Sequence, residues 1–236
     1  MRGLGASPFG VTRTIPGERA RAMVQRARVQ VAPSPRPAVS RETVYVAAFG
    51  TLWGLLEITL GTALKGLRIP FTGMLMASLA TILFLAGRRF APRRGSILMM
   101  GGIAALLKIF SLGGFVLGPV WAIVLEAAVA EAAIGALGLH RLSCILAAIL
   151  VLAYTTVHPL LTQALLYGPA IVRIYAEMLR LAAHTARLDG AGVPVLIAGW
   201  LGAVSLLGAA VGLMGDRLGR RLEERIGRLR GQGERA

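Results

Sequence analysis

The chain has 236 residues, 56% of them hydrophobic and only 16% charged. A soluble domain carries about 25% charged residues, and here the apolar residues fall in blocks long enough to cross a bilayer, which excludes a soluble globular enzyme, a disordered protein and a disulfide scaffold. The formal charge is +15, from 24 Arg and 2 Lys against 11 acidic residues. Most of the Arg lies outside the apolar blocks, so the charge reads as membrane orientation and no nucleic-acid partner is expected.

Residues 1–41 hold eight Arg and prolines at positions 8, 16, 33, 35 and 37, which predicts a disordered basic cytoplasmic tail. Met23 is a second candidate start. The region 42–215 then carries six apolar blocks: Thr43 to Leu67, Pro70 to Gly87, Gly95 to Leu112, Phe115 to Leu139, Leu142 to Tyr167, and Gly192 to Gly215. At about 1.5 Å per residue each is long enough for roughly 30 Å of hydrocarbon. None alternates as a barrel strand would. The expected fold is all-α, a polytopic membrane bundle of six transmembrane helices.

Between the fifth and sixth blocks, residues 169–190 set Ile171, Ile174, Tyr175, Met178 and Ala182 at helical spacing, with Arg173, Glu177, Arg180, His184 and Arg187 on the other side. This reads as an amphipathic helix at the outer interface; an outward extension of the fifth helix is the alternative. Residues 216–236 form a charged cytoplasmic tail, with Leu218, Leu222, Ile226 and Leu229 set among basic and acidic residues; this reads as a cytoplasmic helix on the anionic membrane lipid, or as a solvated positive-inside anchor. Placing both termini inside puts 20 basic residues inside and 5 outside, the asymmetry of an N-in, C-in protein. Arg and Ala in place of Lys and Ile point to a GC-rich bacterial genome, and so to a multi-pass protein of the cytoplasmic (inner) membrane.

Ionisable groups inside a spanning helix mark a functional site by default. They are Glu57, Lys108, Glu126, Glu131 and His158. Counting from the outer helix ends puts Glu57 about 15 Å down, Glu126 about 16 Å, Lys108 roughly 7 Å and His158 about 13 Å. Trp121 and Trp200 fall about 9 and 12 Å down, and Tyr154 and Gln163 share the helix of His158. Glu131 alone lies in the inner half. The common depth makes Glu57, Lys108, Trp121, Glu126, His158 and Trp200 the candidate substrate-binding set, in a pocket open to the outside. Each residue also has a structural reading: a carboxylate paired with Lys108 between helices, a kink at His158-Pro159, an interfacial belt for the tryptophans.

Chemistry motifs are scarce. The chain has no phosphate-binding GxxxxGK[ST] loop, no HExxH, no Cys-His metal spacing and no GxSxG elbow. The lone Cys144 forms no internal disulfide. No catalytic residue, metal or cofactor is expected, and the chain is not read as an enzyme. Small residues four apart, such as Gly50 and Gly54, Gly101 and Ala105, and Gly208 and Gly212, permit close helix approach within the bundle or to another membrane protein.

Phe71-Thr72-Gly73-Met74-Leu75 before the second helix, Gly118-Pro119-Val120-Trp121-Ala122-Ile123 at the start of the fourth, and the Ala/Gly-rich first helix give residues 43–215 a general character that resembles the S components of energy-coupling factor vitamin transporters. The resemblance implies a subunit that binds a vitamin-like small molecule from outside. It further implies docking on a coupling membrane subunit with two cytoplasmic ATPases. S components often carry Ala-x3-Ala on the first helix for that docking. The counterparts here are Ala47-x3-Thr51 and Gly50-x3-Gly54, so Ala47, Gly50 and Gly54 become the candidate partner interface, and they depart from the family's pattern. The rival readings are a stand-alone proton- or ion-coupled transporter, a structural membrane subunit and an intramembrane enzyme.

Overall fold

The computed structural model describes residues 39–110, 117–186 and 192–233. The expected tail at 1–41 lies almost wholly outside the described residues. Every regular element among them is a helix: α1 Arg41–Ile58, α2 Leu60–Gly66, α3 Thr72–Phe90, α4 Ser96–Ile109, α5 Leu117–Leu137, α6 Arg141–Tyr167, α7 Ala170–Thr185 and α8 Gly192–Gly233. Among the described residues, five spans are long and apolar enough to cross a membrane: Arg41–Gly66 (α1 with α2), Thr72–Phe90, Gly118–Leu137, Arg141–Tyr167 and Gly192–Leu229. The chain is a multi-pass membrane protein. The third expected span appears as a 14-residue apolar helix, α4, about 21 Å long, and its continuation into 111–116 lies outside the described residues.

Local chemistry sets the helix ends. Ser40 caps α1, its hydroxyl accepting from the Thr43 N–H at 3.2 Å. His140 and Ser143 cap α6 reciprocally: His140 Nδ1 accepts from the Ser143 N–H at 2.9 Å, and Ser143 Oγ accepts from the His140 N–H at 3.0 Å. Gly168, at φ 78°, stops α6 in a conformation that L side chains resist. The segment after it is therefore a separate helix, α7, and not an extension of α6. On α7, Ile171 and Tyr175 are half-buried and Ala183 is buried, while Ile174, Met178 and Leu181 are exposed. Glu177 and Arg180 pair at 2.6 Å.

Six helices close a ring. α1 runs along α4, α4 packs on α5, α5 on α6, α6 on α8, α8 on α3, and α3 returns to α1. α3 also touches α4, α5 and α6, so it alone has more than half of its span buried inside the protein. The core holds Trp53, Phe84, Leu85, Ile97, Met100, Ile134 and Leu152. Glycine sets how closely the backbones approach. A methyl on Gly54 would lie 2.5 Å from Leu107 Cδ1 of α4, and one on Gly212 would lie 2.5 Å from the Cys144 carbonyl of α6.

One end of the ring is tied by charge. The buried Arg88 guanidinium donates to Ser96 Oγ at 2.8 Å and to the Arg93 carbonyl, and lies 3.4 Å from Glu131. Glu131 reaches from α5 to accept the N–H groups of Gly95 (2.7 Å) and Ile97 (2.9 Å) at the start of α4. Arg89 of α3 meets Asp216 of α8 at 2.5 Å, and Arg220 meets the same carboxylate at 3.0 Å. α8 runs 42 residues without a break, so the sequence boundary at 215–216 is not a structural one.

Candidate ligand cavity

At the opposite end, five helices surround a cavity of about 330 Å³. Glu57 comes from α1, Lys65 from α2, Thr72 and Met76 from α3, Glu126 and Ile123 from α5, and His158, Thr162 and Gln163 from α6. Most of the wall is apolar, with a few polar groups converging on it, the usual make-up of a small-molecule site.

The two carboxyls sit in different surroundings. Glu57 is 7% exposed, and Gly61, one turn on, leaves room for it: a methyl there would stand 3.2 Å from Glu57 Oε2. Lys108, in the last turn of α4, lies 3.3 Å from the same oxygen and donates to the Glu57 carbonyl at 2.8 Å. Glu126 is 6% exposed and has no cation within ion-pair distance among the described residues. Its Oε1 accepts from the Thr155 hydroxyl at 2.9 Å, and the same hydroxyl lies 2.9 Å from the Val151 carbonyl.

Pro159 sits inside α6, so the Thr155 carbonyl loses its intrahelical donor. His158, beside it, is held at both nitrogens: Nδ1 hydrogen-bonds Tyr154 OH at 2.7 Å, and Nε2 lies 3.4 Å from Thr162 Oγ1. The proline and the polar wall thus coincide on one turn and a half of α6.

Of the six candidate residues, Glu57, Glu126 and His158 come together on this cavity, and Lys108 stands behind it as the partner of Glu57. Trp121 and Trp200 do not line it. Trp121 is 56% exposed on the outside of the ring, and Trp200 is 40% exposed with its ring 5.7 Å from Phe71. Similar depth put them in the set, but helical phase turns Trp121 away, and α8, which carries Trp200, contributes no residue to the cavity. The candidate partner interface divides in the same way. Ala47 and Thr51 are exposed on α1, whereas Gly50 and Gly54 are buried against α4. Sequence reasoning passed over Lys65, Thr72, Thr155 and Thr162. The threonines bear no charge to betray them, and Lys65, at the outer end of the first block, was counted only toward the charge asymmetry.

Among the described residues no cluster of His, Cys, Asp and Glu could hold a metal ion. Comparison of the chain with family models, with curated proteins and with solved structures finds no match.

Proposed function

We propose that the chain is a substrate-capture subunit of a multisubunit micronutrient importer of the bacterial inner membrane, with six membrane-crossing helices and both termini inside. The cavity then opens outward and takes a vitamin-like small molecule. The observation that carries the reading is the convergence of Glu57, Glu126 and His158, from three helices, on one cavity at the end away from the arginine-rich cluster. That cluster belongs at the cytoplasmic face by the positive-inside rule. The exposed face of α1 around Ala47 and Thr51 supplies the docking side for a coupling subunit. Purification of the tagged chain from native membranes in mild detergent, followed by mass spectrometry, tests this. Two ATPases and a coupling membrane protein are expected with it; recovery of the chain alone, where a known importer survives intact, overturns the reading.

One observation favours a second reading. Among the described residues Glu126 has no cation beside it, as the proton-carrying carboxyl of a stand-alone coupled transporter would not. Proteoliposomes holding only this chain decide between the two: the second reading expects proton-driven uptake abolished by E126Q, and the first expects none.

A further inference from the structure

We propose that the cavity selects ligands carrying a protonated, hydrogen-bond-donating nitrogen, which seats on Glu126. This rests on the capture reading above. The argument is the imbalance between the two buried carboxyls. Glu57 is satisfied twice by Lys108, through its side chain at 3.3 Å and its carbonyl at 2.8 Å, so it offers a ligand no unmatched charge. Glu126 is more than nine-tenths buried, lines the cavity and uses one oxygen, on Thr155. Its second oxygen has no hydrogen-bond partner among the described residues.

An isolated carboxylate out of water is neutralised by a proton or a cation, and a buried acceptor needs a donor. A ligand ammonium or amidinium supplies both at once. The other ionisable groups facing the space do not compete, and Thr72, Thr162 and Gln163 are neutral. Both His158 nitrogens are engaged by Tyr154 and Thr162, and Lys65 is exposed at the rim, where solvent screens it. An anionic ligand would meet Glu126 at close range with only that screened rim charge to offset it.

The cavity volume, about 330 Å³, is at the small end of ligand sites, which suits one- or two-ring amines. The test uses shape-matched pairs on the full chain in detergent: tryptamine against indole-3-ethanol, and 2-phenylethylamine against 2-phenylethanol, with affinity read by calorimetry and folding by thermal melting. The amine of at least one pair binds at least tenfold tighter than its alcohol. E126Q, which can still accept from Thr155, reduces the preference to under threefold with the melting curve unchanged. T155V, which keeps the charge, retains the preference and decides the matter if E126Q fails to fold. Alcohols binding as tightly as amines, or an amine preference that survives E126Q, overturns the proposal and leaves the capture reading standing. Absence of binding by all four compounds also overturns the proposal, while the capture reading stands or falls on the purification experiment above.

Discussion

Lys108 Nζ crosses from α4 to α1, where it lies 3.3 Å from Glu57 Oε2 and donates to the carbonyl of the same residue at 2.8 Å. Both side chains are about nine-tenths buried. Removing one partner of such a pair strands a charge, at a cost of about 3–5 kcal/mol, whereas replacing both is often close to neutral. K108M is therefore expected to lower the melting temperature sharply in detergent, and E57Q/K108M to recover most of the loss. A double variant no more stable than K108M would show that the pair is not what joins α1 to α4.

The ring depends on where backbones touch. Gly212 of α8 meets backbone atoms of Cys144 and Ile145, which cannot move aside, while a methyl on Gly102 meets nothing within 4 Å. G212A is expected to destabilise by about 1–3 kcal/mol through overpacking. G102A is expected to be neutral or to stabilise by roughly 0.5–1 kcal/mol through helix propensity. Chemical denaturation in mixed micelles compares them directly.

Glu131 holds two N–H groups at the start of α4 and faces Arg88. Loss of its carboxyl leaves those donors and a buried guanidinium under-satisfied, which costs about 1–3 kcal/mol for a buried polar group and more for a charged one. E131A should melt lower than wild type, and hydrogen exchange should rise first at Gly95 and Ile97.

Cavity and surface residues separate by substitution. Gly118 lines the cavity and has open space around its Cα, so G118F should fill the cavity and abolish binding of the amine probes with little change in melting. W121A and W200A remove exposed rings outside it and should leave probe affinity within threefold. A large affinity loss in W121A would return that residue to the site.

Much of this architecture is legible in the sequence because membrane crossing imposes length. The blocks around 70–87, 142–167 and 192–215 match α3, α6 and the first part of α8 within a few residues at most shared ends. Counting residues along each block also groups Glu57, Glu126 and His158, which line one cavity in the structure. Rotation about the helix axis was not legible. It depends on which neighbour each face meets, and so Trp121, Gly50 and Gly54 fall elsewhere than expected, while Trp200 stands on a helix that does not line the cavity. The tail was legible as a helix, but its unbroken join to the last span was hidden for a different reason: composition changes at Asp216, but nothing there breaks a helix, and Arg89 holds that turn in place.

α8 is a rod of 42 residues, about 63 Å long, against roughly 30 Å of hydrocarbon. About half of it must therefore stand clear of the lipid. Asp216, gripped by Arg89 and Arg220, fastens the rod to α3 near the middle, so the two helices lean as one body. A lean of about 20° swings a free end of such a rod sideways by about 20 Å relative to the other. Any tilting of the bundle in its bilayer is magnified at Gly233, which makes the C-terminal stalk the pointer from which that motion can be measured.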